Sequence, residues 1–473
     1  MNRYTIDSHI DSNKIFIINR SEIEGRWDAE YYKPEINALE KKVRALSSKK
    51  LRNFINNISS GATPSVKEEE KFYADKETGI PFLRVQNLQT NGKIALNDVK
   101  YINTDTHENY LKRSQVGEHD LLVKITGVGR MAIASVAPDG FVGNTNQHMI
   151  VIRTDNKDTS EYLAKYLNLD VVEKLASRRS TGGTRPALDY PALKSIPIIE
   201  GIDFSPIQKA EKIKQQKEAQ AATLLASIDD YLLGELGITL PEQNNSLQSR
   251  MFTIQFSEID DGRLDPDCNR LYYRNLIAEL DRKFKKTPLR NLCLAIFQGV
   301  GRDLVDKSDY TLLKVKNIKQ NNEINFDDVE FVRSAPLNKI LINNDIISPF
   351  IGEAIRQTKF STYNKKEVLH TIDSNTGVIR VEQTKNNSNY VCDVLNSKIG
   401  TIQISKLIGG GGVPFLGTNN VKKIFIPVPP LEKQNEIAEH IKGIRTQAKQ
   451  LQQEAQQILE QAKKDVEQMI LEE

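Results

Sequence analysis

Cysteine occurs only three times in 473 residues, at Cys268, Cys293 and Cys392. An odd number of widely spaced thiols excludes a disulfide framework and fits reduced, buried side chains. The six histidines (His9, His107, His119, His148, His370, His440) form no cluster with them at zinc-like spacing, so no metal site is expected. No apolar run approaches the roughly 18 residues of a membrane span, and the opening residues lack the apolar core of a signal peptide. A cytoplasmic protein is expected.

The motifs of several enzyme classes are also missing. There is no Gly-x-x-x-x-Gly-Lys-Ser/Thr loop and no Gly-x-Gly-x-x-Gly after a strand. Asp139 and Asp267 follow prolines, but neither has the downstream Glu-x-Lys that a metal-dependent nuclease needs. An amino-methyltransferase requires Asp/Asn-Pro-Pro-aromatic, whereas the single Pro-Pro pair, Pro429-Pro430, opens a helix. Gly127-Val128-Gly129-Arg130 and Gly299-Val300-Gly301-Arg302 read as turns. No catalytic constellation emerges, and the chain is expected not to be an enzyme.

What is present is an ordinary globular composition, 39% hydrophobic and 27% charged, with a net charge of +3. The balance is uneven. Residues 430–473 carry six basic and nine acidic side chains, and residues 206–236 carry four and five, leaving about +7 on the remainder.

The chain also repeats itself. Ser21-Glu22-Ile23 recurs as Ser257-Glu258-Ile259, and Arg26-Trp27-Asp28-Ala29-Glu30-Tyr31-Tyr32 is echoed by Arg263-Leu264-Asp265-Pro266 and Tyr272-Tyr273. Leu51-Arg52-Asn53-Phe54 matches Leu289-Arg290-Asn291-Leu292, and Leu83-Arg84-Val85-Gln86-Asn87-Leu88 matches Leu313-Lys314-Val315-Lys316-Asn317-Ile318. The stretch Thr181-Gly182-Gly183-Thr184-Arg185-Pro186-Ala187-Leu188 matches Gly409-Gly410-Gly411-Gly412-Val413-Pro414-Phe415-Leu416, and Ile196-Pro197-Ile198 matches Ile426-Pro427-Val428. The order is kept throughout, at offsets of 228 to 241.

Each half ends in a long polar helix. Ser205-Pro206-Ile207-Gln208 reads as a capping-box start, and Gly237 as a C-terminal cap. The second helix opens near Pro430 and spans about 60 Å. Its Ile437, Ile441, Ile444, Ala448, Leu451, Ala455, Ile458 and Ala462 step by four and three, a heptad seam sustained over about four heptads. Ile207, Ala210, Ala221, Leu224, Ile228 and Tyr231 make a weaker stripe on the first. A seam of this length needs a covering helix, so the two are expected to pair. Packing is assigned to Leu224, Ile228, Ile437, Ile441, Ile444, Leu451 and Ile458.

Between these landmarks each half reads as mixed α/β. Helices are expected over 34–46 and 271–284, and strands over 120–125, 149–153, 340–348 and 377–381. Strands and helices do not alternate regularly, which argues against a doubly wound sheet. The predicted organisation is a globular domain over 1–205, a helix over 206–238, a linker over 239–249, a second domain over 250–428 and a helix over 429–473. Basic side chains gather in the loops: Lys124, Arg130, Arg178, Arg179 and Arg185, then Arg302, Arg356, Lys359 and Lys406. With Thr63 they are the candidates for contact with DNA phosphates and base edges.

In this organisation the chain resembles the specificity subunits of type I restriction–modification enzymes. The resemblance covers essentially the whole length. It rests on residues 26–32, on Gly61-Ala62-Thr63-Pro64-Ser65, on Ile80-Pro81-Phe82-Leu83 and the residues following, on residues 181–186, and on Ile426-Pro427-Val428-Pro429-Pro430-Leu431-Glu432-Lys433-Gln434-Asn435-Glu436-Ile437-Ala438. It implies two target-recognition domains joined by two long helices in an antiparallel coiled coil, each domain reading one part of a split site in double-stranded DNA. It further implies two modification subunits that hold S-adenosylmethionine and methylate adenine, and restriction subunits that use ATP and Mg, with no cofactor in this chain. The second half departs from the pattern at Gln298-Gly299-Val300-Gly301 and at 409–413, as expected if the halves read different sequences. Two other readings stay open: a specificity subunit of a different methylation–cleavage assembly, and a coiled-coil scaffold that binds protein.

Overall fold

The β-branched runs form strands, and each half of the chain builds two four-stranded sheets from them. The structure is a computed structural model and describes all residues except 1–5, 8, 48, 245, 257, 258, 260–263, 302, 366, 367, 411 and 473. The repeat match at 257–258 and Arg263 therefore lies outside the described residues. The chain divides into two units, one of residues 1–213 with 457–473 and one of residues 214–456.

In the first unit Asn57–Ser60, Met149–Arg153, Leu121–Lys124 and Ala134–Val136 pair antiparallel in that order. A second sheet runs Lys100–Ile102, Ile80–Leu83, Gly143–Thr145 and Gln115–Val116, with one parallel pair, Ile80–Leu83 beside Gly143–Thr145. The second unit repeats this plan with Cys293–Gln298, Thr376–Val381, Ile346–Pro349 and Ser361–Thr362. Its other sheet also has one parallel pair, Tyr310–Leu313 beside Leu369–Ile372. Mostly antiparallel sheets are what the absence of regular strand–helix alternation predicts.

The duplication extends to single hydrogen bonds. Asn87 and Asn317 are buried and donate to Ala95 and Asp98 carbonyls in one unit, Asn325 and Asp328 carbonyls in the other, at 2.8–3.0 Å. Asn168 brackets the backbone of Ala134 as Asn396 brackets Phe360. A buried amide left without these partners costs about 1–3 kcal/mol, which is why the residue type is the same in both places. One match needs correcting. The Leu51 amide donates to the Ile196 carbonyl and the Leu289 amide to that of Ile424, so Ile196 corresponds to Ile424 rather than to Ile426. Ile424-Phe425-Ile426 and Ile426-Pro427-Val428 overlap there, and strand pairing selects the earlier register although the proline lies in the later one.

A close approach fixes Gly61 and Gly299. A Cβ on Gly61 would lie 1.7 Å from the Thr145 carbonyl oxygen, and one on Gly299 would lie 2.0 Å from that of Ile372. Backbone cannot yield as a side chain does, so Gly61→Ala or Gly299→Ala is expected to cost about 3 kcal/mol, at the upper end for overpacking. Chemical denaturation of the two variants measures this, and unchanged stability would show that the strands do not approach so closely.

Helices cover the sheets. Pro34–Leu46 forms where expected, and its counterpart is Leu271–Lys283. The long helices are Ser205–Leu236 and Leu431–Glu472. Ser205 is a helix residue rather than its cap. Asp203 accepts both its amide and its hydroxyl at 2.8 Å, replacing the predicted capping box. Gly237 ends the helix at φ +60°, as a C-terminal cap requires.

The long helices pair antiparallel. In the second unit Lys217 meets Glu454 at 2.7 Å, Tyr231 stacks on His440 with ring centroids 4.0 Å apart, and Lys433 meets Glu235 at 2.5 Å. Such exposed ion pairs contribute little, being screened by solvent, so the apolar seam holds the helices together. Ile437, Ile441, Ala448 and Ala455 are buried in it, with Ile444, Leu451 and Ile458 half-buried. Leu224 and Ile228 are half-buried, and the deepest positions on their helix are Ala221 and Leu232. At its other end the seam drifts to Leu459, Val466 and Ile470, which join the first unit's core together with Ile207 and Ala210. The drift follows from 3.6 residues per turn against a repeat of 3.5.

Cys268 and Cys392 are buried, and burial pushes the Cys293 and Cys392 thiols up to about 12. Among the described residues no helix is long and apolar enough to cross a membrane, and no group of three or more His, Cys, Asp or Glu side chains could hold a metal ion.

Candidate nucleic-acid interface

Four loops of the first unit are tied to one another where its two sheets meet. The approach of Gly61 to Thr145 brings the 61–65 loop against 146–148, where the Thr63 hydroxyl bonds the Gln147 side chain. The Ile125 amide donates to the His148 carbonyl at 3.0 Å, joining the loop that follows Leu121–Lys124. The Gly127 amide donates to the Pro186 carbonyl at 3.0 Å, and Thr126 bridges Ala187, joining the Gly-rich loop. That loop is closed by two hydrogen bonds of 2.8 Å between Thr181 and Ala187 and turns at Gly182, φ +94°.

The second unit builds the same cluster. Gly299 abuts Ile372 and Asp373, and the Phe350 amide donates to the Asn375 carbonyl at 2.8 Å. The Gly352 amide donates to the Pro414 carbonyl at 2.8 Å, and Gly409 and Phe415 exchange two hydrogen bonds of 2.8 and 2.9 Å. Gly127 and Gly352 are thus equivalent, as are Thr181 and Gly409.

Of the residues singled out from sequence, Thr63 and Arg185 lie exposed in the first cluster. Arg356 is exposed beside the second, paired with Glu353 at 3.1 Å, and Lys359 is half-buried near it. Lys124 and Arg130 flank the first cluster but are engaged within the unit. The buried Lys124 ammonium donates to the Val128 carbonyl at 2.8 Å, and burial lowers its pKa. Arg130 bonds the Asn168 carbonyl and pairs with Asp170, at the start of a helix that Glu467 caps through the Asp170 and Val171 amides.

Arg178 and Arg179 lie elsewhere, turned inward. The Arg178 side chain covers the Tyr31 ring at 4.1 Å and donates to the Tyr31 carbonyl and Asn37, both at 2.7 Å. Arg179 meets the buried Glu40 at 2.5 Å. Burial works to raise the Glu40 carboxyl, but Arg179 and Arg44 outweigh it and hold it below the usual carboxylate value. Lys406 lines a separate cavity with Cys268 and Lys286, and Arg302 lies outside the described residues.

Sequence reasoning missed Gln147, His148 and the loop tip at Val128. Charge was the signal followed, and four of the first unit's five candidate cations are engaged within the unit, with Arg185 alone exposed in the cluster. Gly127 and Gly129, at φ +116° and +82°, do form the turn that was expected. The turn leaves Val128 79% exposed.

The Arg185 guanidinium lies 3.0 Å from the His148 imidazole Nε2. Burial, then the Arg185 charge, lowers the His148 pKa below its ordinary 6.5, so the neutral ring accepts the bond. Between that lowered value and 6.5 the unfolded chain binds more protons, so this contact's contribution to stability falls as pH drops through the window. Below both values it changes no further. In Arg185→Ala the His148 midpoint is expected to move upward in an NMR titration. An unmoved midpoint would separate the two side chains.

The fold and these clusters define a class: a duplicated, sheet-based recognition module carried on an antiparallel coiled coil. Residues 47–200 and 302–461 match the family described as Type I restriction modification DNA specificity domain. The chain belongs to this family and is a specificity subunit of a type I restriction–modification system. It is similar to the type I restriction enzyme MjaVIII specificity subunit of Methanocaldococcus jannaschii, 23% identical over 410 residues, covering 84% of this chain and 85% of that one. Two solved structures are similar at 12% identity. The S subunit of a type I restriction–modification system from M. genitalium gives a TM-score of 0.35, covering 88% of this chain and 95% of that one. The HsdS subunit from Thermoanaerobacter tengcongensis gives 0.34, covering 89% and 95%.

Proposed function

We propose that the chain is the non-catalytic reader of a split site in double-stranded DNA, one half-site for each unit. The observation that carries this is the loop cluster built twice on the same backbone hydrogen bonds with different exposed side chains. A common frame with different side chains is what two half-sites of different sequence require. Thr63, Gln147 and Arg185 face the first half-site, and Arg356 and Lys359 the second. Asn, Gln and Arg read base edges, and basic groups hold phosphates.

The coiled coil sets the gap between half-sites and seats two modification subunits, which supply S-adenosylmethionine and flip the target adenine for N6 methylation. Restriction subunits, with ATP and Mg, join that complex in the cytoplasm. The test is co-purification with the modification subunit, followed by mapping of methylated adenines in treated DNA. Methylation at one split motif with a fixed gap is expected. A stable complex without sequence-selective methylation would overturn the reading in favour of a protein-binding scaffold.

A further inference from the structure

The two loop clusters share a backbone and exchange the chemistry of their tips. In the first unit the residue after Gly127 is Val128, 79% exposed, and the Gly-rich loop presents Arg185. In the second unit the residue after the equivalent Gly352 is Glu353, and the position equivalent to Arg185 is Val413, 60% exposed. Each unit therefore offers one aliphatic tip and one charged tip, in opposite loops.

These tips are held in place. The Val128 carbonyl accepts from the buried Lys124 ammonium, Arg130 anchors the far side of the loop, and Gly127 is tied to Pro186. A Cβ on Gly410 would lie 2.2 Å from the Val413 carbonyl oxygen, so that loop closes tightly on itself. A β-branched side chain held in water by a fastened loop gains nothing for folding. Its methyl groups match an apolar feature of the major groove, the thymine C5-methyl. Arg185 matches the acceptors of guanine, and Glu353 the amino group of cytosine.

We propose that these four tips determine base preference, Val128 with Arg185 in the first half-site and Glu353 with Val413 in the second, the valines packing on thymine methyl groups. The proposal rests on the reader function above, and its test separates the two. Intact complexes of wild type, Val128→Ala and Val413→Ala with the modification subunit are assayed on duplexes in which each thymine of the wild-type motif is replaced in turn by uracil, which lacks the C5-methyl.

For wild type, one uracil in each half-site is expected to lower the methylation kcat/KM by about threefold to tenfold, the worth of one or two buried methyl groups. Val128→Ala loses that sensitivity in one half-site only, and Val413→Ala in the other only. Both side chains are exposed, so folding is not at stake, and matching melting curves check this. A half-site without thymine, or variants with wild-type uracil sensitivity, would overturn the tip assignment and leave the reader standing. Absence of any split-motif methylation by wild type would overturn the reader itself, and the tip assignment with it.

Discussion

A chain lengthened by seven residues in each long helix, after Ile213 and after Gln456, is expected to select a gap about 3 base pairs wider with both half-sites unchanged. Seven helical residues add about 10.5 Å, and a base pair of B-DNA rises about 3.4 Å. The seven-residue step matters because an ideal helix returns to within about 20° of its starting face, so the seam stays continuous. Both helices must change together, since Lys217 with Glu454 and Tyr231 with His440 fix one antiparallel register. Removing seven residues from each is expected to narrow the gap by the same amount. Mapping methylated adenines gives the answer directly, and an unchanged gap would dissociate helix length from spacing.

The second large effect lies in the first unit's interior. Glu40→Ile is expected to destabilise that unit by about 3–5 kcal/mol, because it leaves Arg178 and Arg179 buried without a carboxylate. The double variant Glu40→Ile/Arg179→Leu is expected to recover most of the loss. The second unit supplies the precedent: Ile277 and Leu407 stand at the equivalent helix positions and pack on its core. A buried ion pair and an apolar pair of similar volume are often interchangeable in stability, whereas half of an ion pair is not tolerated. Thermal unfolding of the two variants decides it. A double variant no more stable than the single would show that Arg179 supports the fold through its bonds to Ser195 and the Leu175 carbonyl instead.

Much of this is legible in the sequence. The duplication, the helix at Pro34–Leu46, the strand Met149–Arg153 and the heptad seam follow from local pattern, because apolar period and turn residues act over a few neighbours. The resemblance to type I specificity subunits rested on the same ordered motifs, and the family match bears it out. The loop residues were less legible. A lysine at the end of a strand reads identically whether its ammonium meets phosphate or, as at Lys124, a carbonyl four residues on.

The sequence by itself thus determined the two-fold internal plan and the pairing of the two long helices, which are written in repetition and periodicity. The class of protein and the antiparallel sense came from the resemblance to type I specificity subunits. Tertiary structure alone decided which cations face solvent. Arg178 and Arg179 turn inward because Glu40, some 140 residues earlier, sits in the facing helix. It also decided that Val128 and Arg185 share one cluster, because strand pairing and the Gly127–Pro186 hydrogen bond join loops nearly 60 residues apart. Burial and partner choice depend on contacts distant in sequence, and those exist only once the sheets have closed.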